Sequence, residues 1–189
     1  DEVLATVINV DAPAAMALAC AQMGVPFVQI STNYVFDGAG STGFAPDHKT
    51  CPLGAYGRSK RMGERGVVAA GGTYAILRTA WVFSRHGTNF LKTMLRLSET
   101  REQLSIVNDQ IGGPTPAAAI AKACHAMAGG LASGSGRVGI YHFSGTPEVS
   151  WADFAAEIFA QSGRQVTTTG IPSQEYPTSA KRPLNSRLN

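Results

Sequence analysis

The sequence is poor in the features that identify several classes of protein. Its three cysteines, Cys20, Cys51 and Cys124, are widely spaced and form no CxxC or Cys/His pattern, so no zinc site is predicted and a reducing, cytoplasmic setting is favoured. No run approaches about 18 consecutive apolar residues, which argues against a membrane span. Charged residues make up 15%, the net charge is +3 and no basic stripe is present, so nucleic acid is not an expected partner.

Helical and strand patterns alternate along the 189 residues, which predicts an α/β fold with one sizeable core. Asp11 and Ser150 are the expected N-caps of the first and last helices, and residues 129–136 are an expected flexible connector. Helices are expected over residues 12–23, 53–70, 89–97, 116–128 and 150–161. Strands are expected over residues 26–30, 74–78, 104–107 and 140–143, in a parallel sheet.

Tyr56 and Lys60 lie four residues apart in one of these expected helices. Positions i and i+4 share a helix face, so the phenol and the ammonium should point into the same space. An ammonium beside a phenol favours the phenolate and lowers the pKa of the phenol, which would make Tyr56 a proton donor near neutral pH. The same spacing occurs by chance in many helices, so the motif needs support from its surroundings.

Six segments that include this pair occur in order along the chain. They are VINV at 7–10, STNYVFDG at 31–38, PLGAYGRSK at 52–60, RTAWVF at 78–83, NDQIGGPTP at 108–116 and RPLNS at 182–186. Together they resemble the dTDP-4-dehydrorhamnose reductase family of extended short-chain dehydrogenases/reductases, over nearly the whole chain. The resemblance implies a Rossmann-like, doubly wound parallel sheet with a small C-terminal substrate-binding region.

The resemblance also implies a catalytic set. Tyr56 would protonate the sugar C4 oxygen, Lys60 would assist it and bond the nicotinamide ribose, and Thr32 would stabilise the developing alkoxide. Ser31 is adjacent to Thr32. Because neighbours on a strand point to opposite sides, only one of the two should face the substrate, and Thr32 is the expected one.

Binding residues follow from the same motifs. The cofactor is expected at Asn9, Ser31, Tyr56 and Lys60. The substrate is expected at Asn33, Tyr34, Trp81, Asn89, Phe90, Gln110, Pro114, Thr115 and Arg182. For Trp81, core packing stays open as an alternative, and for Arg182 a solvated surface position does. Asn33 replaces the aspartate usual in the family, which leaves a different specificity or pH profile open.

One family feature is absent. Members begin with a strand and a GxxGxxG-type turn that holds the cofactor pyrophosphate, and no such turn follows a strand near the start of this chain. We therefore expect a longer parent protein, in which the apolar strand ending at Ile30 has a neighbour and is not an open edge. Residues 1–107 are expected to be the remainder of the NAD(P)-binding domain. Residues 108–189 should be mainly substrate-binding, with 116–143 returning to the sheet.

The implied activity is the NADPH-dependent reduction of dTDP-4-dehydro-L-rhamnose to dTDP-L-rhamnose, in nucleotide-sugar and polysaccharide biosynthesis. NADH stays open as the cofactor, Mg²⁺ is compatible but has no assigned ligands, and a homodimer is compatible. Two alternatives remain: a reductase of another nucleotide-linked 4-keto sugar, and a non-catalytic protein like the regulatory subunit of methionine adenosyltransferase. The retained Thr32, Tyr56 and Lys60 favour an enzyme.

Overall fold

The computed structural model describes residues 1–189. Its helices are α1 (Glu2–Thr6), α2 (Ala12–Met23), α3 (Ala55–Ala69), α4 (Phe90–Leu97), α5 (Ala117–Ala132) and α6 (Trp151–Ser162). Its strands are β1 (Phe27–Thr32), β2 (Tyr74–Thr79), β3 (Val82–Phe83), β4 (Gln103–Val107), β5 (Ile111–Gly112), β6 (Thr115–Pro116), β7 (Gly139–His142), β8 (Val149–Ser150) and β9 (Thr167–Ile171). Short 3-10 turns cover Asn33–Val35 and Ser173–Glu175, and a π-helical turn covers Val7–Asp11.

The first helical run extends further than the sequence indicates. The π-helical turn joins α1 to α2, so the run is continuous from Glu2 to Met23. The Asp1 carboxylate accepts from the backbone N–H groups of Val3 and Leu4 and caps the start of the run. The prediction of Asp11 as the N-cap is wrong, because Asp11 has helical backbone angles and its side chain makes no capping bond. Gly24 ends the run in the left-handed conformation, as predicted.

This run of 22 residues is also the one helix whose length and apolar composition would suffice to cross a membrane. It contains no run of about 18 consecutive apolar residues, because Thr6, Asn9 and Asp11 interrupt it. Core helices and N-terminal signal sequences have the same composition, so the feature alone does not indicate a membrane. In the structure the run packs against α3, where Gly63 faces the Asn9 carbonyl and Gly66 faces Ala14 too closely for any larger side chain.

The central sheet confirms the predicted α/β architecture. Strands β1, β2 and β7 pair in that order and all run parallel. Ile76 points to the face covered by α2 and α3, in a cluster with Ala17 and Val67. Its neighbours Ala75 and Leu77 face α5 on the other side. The β1–β2 register sets Thr32 beside Thr79, so both strands end at the same edge.

A second packing unit forms around four elements. Strands β4 and β9 pair in parallel, and α4 and α6 pack against them. Its buried core consists of Met94, Leu104, Ile106, Phe154, Ala155, Ile158 and Phe159. Residues 90–107 contribute α4 and β4 to this unit, and the expected division at 107 remains a prediction. The assignment of cofactor and substrate to the two parts remains a prediction.

The sequence located most of the long elements and missed the short ones. The Ser150 cap is confirmed, since its hydroxyl and the Asp153 carboxylate form a reciprocal capping box at the start of α6. The predicted connector at 129–136 is partly wrong, because α5 continues through Ala132. Strands β3, β5, β6 and β8 have two residues each, too few to leave a periodic pattern, and β9 is rich in threonine.

The C-terminal segment docks on the loop that follows β1. Asn185 donates from its backbone to the Gly38 carbonyl and from its side chain to the Thr42 carbonyl at 2.8 Å. Gly38 has a φ of 70°, and a Cβ there would collide with Pro183. This docking brings the end of the chain, including Ser186, against the loop leaving β1.

Half-buried His142 should make the stability of the fold depend on pH. Burial and the neighbouring Arg78 guanidinium lower the pKa of His142 from 6.5 to about 4, and its Nε2 is buried without a partner. Between these values the unfolded chain binds a proton that the folded chain does not, so stability should fall as the pH falls through this window. We expect His142→Gln to flatten this dependence, measured as the denaturation midpoint at pH 7 and pH 5. Substitution of exposed His125 by Gln is the control, and an unchanged slope in His142→Gln would contradict the assignment.

Candidate active site

The carboxyl end of β1 carries the first candidate group. Thr32 is the last residue of the strand and is buried. Its hydroxyl accepts from the Tyr34 backbone N–H at 3.2 Å and so caps the 3-10 turn Asn33–Val35. The chain therefore turns sharply at the sheet edge, where open α/β folds place their ligands.

Helix α3 brings the other two candidate catalytic residues to the same edge. Tyr56 and Lys60 are one turn apart near its N-terminus. The Lys60 ammonium donates to the Ile30 carbonyl of β1 at 2.7 Å. Gly57 faces the Tyr34 carbonyl so closely that a Cβ would collide with it. The structure thus brings Thr32, Tyr56 and Lys60 together, with α3 seated directly on the end of β1.

The electrostatics differ from the sequence-based expectation. Partial burial raises the pKa of the Tyr56 phenol, and hydrogen bonding with Thr32 lowers it by less. The expected lowering by Lys60 is wrong for this structure, because the ammonium is directed to the Ile30 carbonyl. Burial also lowers the pKa of Lys60, against the opposing charge of Glu64. Tyr56 is therefore held in its protonated, proton-donating form.

Ser31 points away from this group, as strand alternation requires. Its hydroxyl donates to the Glu64 carboxylate at 2.5 Å and is buried. Asn9, the other expected cofactor ligand, donates from its side chain to the Ser59 hydroxyl at 3.1 Å. Both side chains thus bond α3 to its neighbours. The choice of Thr32 over Ser31 as the residue beside Tyr56 agrees with this geometry.

A cavity of about 510 Å³ lies on the second packing unit, between α4, β4 and the C-terminal region. Three of the expected substrate residues line it: Phe90, Gln110 and Arg182. The sequence reasoning missed several others. Those with aromatic or charged side chains are Arg101, Trp151 and Tyr176. They come from segments far apart in the chain, so no local sequence pattern indicates that they lie together.

Trp81 stacks on Trp151, with ring centroids 3.6 Å apart and planes 10° apart. Its φ of 48° is unusual for a residue with a large side chain. The Trp151 indole donates to the Gln110 side-chain carbonyl at 3.1 Å, and the Gln110 amide donates to the Ser173 hydroxyl at 2.9 Å. Trp81 thus supports the cavity wall from behind, through Trp151.

Four expected substrate residues are engaged elsewhere. Asn33 is buried and donates to the Ser186 hydroxyl at 2.8 Å. Asn89 caps α4 by accepting from the Lys92 backbone N–H. The fully buried Thr115 donates to the Gly113 carbonyl and accepts from the Gly145 backbone N–H, and the carbonyl of the adjacent Pro114 faces Gly145. These contacts organise loops around the cavity.

Tyr34 packs against Tyr56 and lies within the electrostatic influence of Arg182. The rings of Tyr34 and Tyr56 meet edge to face, with centroids 5.7 Å apart. Burial raises the pKa of Tyr34, and the positive charge of Arg182 opposes this effect. Arg182 also lines the cavity, so its charge acts both there and at Tyr34.

No group of three or more His, Cys, Asp or Glu side chains is placed to hold a metal ion. The donor set at the end of β1 does suit part of a dinucleotide. An ammonium and two hydroxyl groups can bond ribose hydroxyls and a carbonyl oxygen. Tyr56 and Lys60 thus offer groups that suit a ribose.

The parallel sheet, with polar groups at its carboxyl edge, belongs to the Rossmann-like class of nucleotide-binding folds. Residues 1–189 match the family described as the RmlD substrate binding domain, and the chain belongs to that family. The resemblance inferred from the six sequence motifs is thereby confirmed.

Individual relatives agree with this assignment. The chain is 45% identical over 188 residues to a dTDP-4-dehydrorhamnose reductase of Sinorhizobium fredii, covering 96% of this chain and 64% of that protein. It is 37% identical over 173 residues to the spore coat polysaccharide biosynthesis protein SpsK of Bacillus subtilis, covering 92% of this chain and 59% of that protein. The structure of a dTDP-4-dehydrorhamnose reductase from Bacillus anthracis in complex with NADP matches with a TM-score of 0.93 at 36% identity, over 100% of this chain and 65% of that one. The chain thus spans less than two thirds of these proteins.

The Trp81–Trp151 stack depends on the absence of a side chain at Gly112. A Cβ there would lie 2.8 Å from the Trp81 indole and 3.0 Å from Ser186. We expect Gly112→Ala to displace the indole, to destabilise the fold by about 1–3 kcal/mol as overpacking does, and to weaken the near-ultraviolet circular dichroism of the stacked pair. Gly129→Ala, in α5 with open space around it, is the matched control. An unchanged spectrum for Gly112→Ala would refute the dependence.

Proposed function

We propose that the full-length protein containing this chain is an NADPH-dependent dTDP-4-dehydrorhamnose reductase. The observation that carries this proposal is the meeting of Thr32, Tyr56 and Lys60 at the end of β1, in a chain that also has a cavity lined by Arg182. The names of the relatives support the same activity. We propose a cytoplasmic setting, which the three free cysteines favour.

The chemistry follows from the protonation state of the groups. A nicotinamide cofactor supplies the hydride when it is bound. Tyr56 gives its phenolic proton to the C4 oxygen of the sugar, so the C=O bond becomes an alcohol and the phenol becomes a phenolate. Thr32 donates to the oxygen while negative charge develops on it. Lys60, whose ammonium bonds the Ile30 carbonyl, fixes α3 on the end of β1 and offers its remaining N–H groups to the ribose.

We assign fewer residues to the cofactor than the sequence suggested. Tyr56 and Lys60 would hold the nicotinamide ribose. Asn9 and Ser31 support α3 through Ser59 and Glu64, so we assign them to the scaffold. The NADP found in the Bacillus anthracis relative favours the phosphorylated cofactor.

The cavity suits a nucleotide-linked sugar by its chemistry. Arg101 and Arg182 offer guanidinium groups to a diphosphate. Phe90, Trp151 and Tyr176 offer flat apolar faces to a base or a sugar ring. Residues from both parts of the chain therefore contribute. We propose that the central sheet binds the cofactor and that the second packing unit binds most of the substrate.

The two alternatives are weaker. A non-catalytic regulatory role gives no reason for three polar groups to converge at the end of β1. Asn33 leaves open a reductase of another 4-keto sugar, but that side chain bonds Ser186 and does not line the cavity. A panel of nucleotide-linked 4-keto sugars discriminates between the reductases.

The central test is Tyr56→Phe in the full-length protein. Loss of the phenolic proton should lower kcat by about 10²–10⁴-fold, the usual contribution of a general acid, without loss of folding. The measurement is NADPH oxidation with dTDP-4-dehydro-L-rhamnose. Tyr74→Phe, at the start of β2, is the matched control and should keep its activity. Unchanged turnover in Tyr56→Phe would exclude the proposed proton donor.

Arg182 provides a test of substrate binding. We expect Arg182→Gln to raise KM for the dTDP-sugar by about 10- to 150-fold while kcat changes little, because a charge-assisted bond of about 1.5–3 kcal/mol to a phosphate is lost. The neighbouring Lys181→Gln is the control, since Lys181 does not line the cavity. Equal KM values for the two variants would place the diphosphate elsewhere.

A further inference from the structure

A buried ion pair lies directly behind the proposed catalytic group. Glu64 is on α3, one turn beyond Lys60, and Arg78 is on β2. Arg78 donates from Nε to Oε1 of Glu64 at 2.9 Å and from Nη2 to Oε2 at 2.7 Å. Only 3% of the Arg78 side chain and 6% of the Glu64 side chain are exposed. This bidentate contact fixes both the distance and the orientation of the two elements.

The same carboxylate also holds β1. Ser31 donates its hydroxyl proton to Glu64 Oε1, and Ser31 immediately precedes Thr32. Arg78 in turn donates from Nη1 to the Pro46 carbonyl at 3.0 Å and lies over the Phe36 ring. One ion pair therefore connects α3, β1, β2 and the loop after β1.

We propose that Glu64, paired with Arg78, is the positioning residue of this site. It holds the end of β1 through Ser31 and holds α3 one turn from Lys60, and so sets Thr32 against Tyr56 and Lys60. This inference rests on the proposed function only for its kinetic readout. The role of Glu64 is to position, because it contacts neither the reacting groups nor the cavity in front of them.

The charge of Glu64 has a second effect at this site. It raises the pKa of Lys60 and so opposes the lowering caused by burial. The charged and titratable groups that face Glu64 are Lys60, Arg61 and Arg65 on α3, Arg78 on β2 and His142 on β7. The arginines stay charged, and His142 titrates at about 4. Above neutral pH, Lys60 is thus the one group in this set whose protonation responds to the charge of Glu64.

Three variants of the full-length protein separate positioning from stability. Glu64→Gln removes the charge but leaves Arg78 buried and unpaired, which can prevent folding. The double variant Glu64→Leu, Arg78→Met removes both charges and avoids this problem. Ser31→Ala breaks only the bond to β1. Glu148→Gln is the control, since it removes an ion pair with Arg187 at 2.9 Å that lies outside this network.

The first readout is kinetic. Each of the three folded variants should lose about 10- to 100-fold in kcat, as small misplacements of catalytic groups do, with KM for the sugar within about twofold of wild type. In Glu64→Gln the decline of activity with rising pH should move to lower pH, because Lys60 loses the charge that favours its ammonium form. Glu148→Gln should match wild type. A double variant that folds and keeps the wild-type kcat and pH profile would overturn the inference.

The second readout does not need turnover. Competitive acylation followed by mass spectrometry reports the titration of each lysine, and Lys92 on α4 is the internal reference. We expect Lys60 to become reactive at lower pH in both variants that lack Glu64, with Lys92 unchanged. An unaltered Lys60 profile would overturn the inference. A wild-type protein that reduces no dTDP-sugar would instead refute the proposed function, and the Lys60 profile would then decide the role of Glu64 alone.

Discussion

The buried pair of Glu64 and Arg78 is the contact on which the arrangement of the site depends. Two opposite charges with almost no exposure to water are stable only because each finds several partners. Removing one partner of such a pair costs about 3–5 kcal/mol, since the other charge is left buried. The pair therefore fixes the position of the helix that carries Tyr56 and Lys60 relative to the strand that ends at Thr32.

Much of the fold could be predicted because its long elements have regular patterns. The helix of Tyr56 and Lys60 and the strands at 74–79 and 139–142 follow from apolar spacing and from glycine or capping residues at their ends. The start of the helix that ends at Met23 could not be located from the sequence. Asp11 followed by Pro13 has the composition of a helix start, although in the structure both residues lie inside a helix that begins at Glu2.

The sequence located the candidate residues that lie on a strand or a helix, but not the directions of those that lie on loops. The order of motifs located Thr32, Tyr56 and Lys60, whose spacing on one strand and one helix fixes their direction. The directions of Asn33, Asn89 and Thr115 depend on loops that local sequence does not determine, and each forms bonds within the scaffold. The cavity residues Arg101 and Tyr176 come from distant segments, which only tertiary packing brings together.

The separation of hydrophobic cores has a consequence for how a chain of this family can diversify. Tyr56, the proposed proton donor, lies on α3, which packs on the core of the central sheet, whereas most of the cavity wall lies on the core of α4, β4, α6 and β9. These two cores share no residue. Substitutions in the second core can therefore change the shape of the cavity, and the ligand proposed for it, without altering the residues proposed for the chemistry.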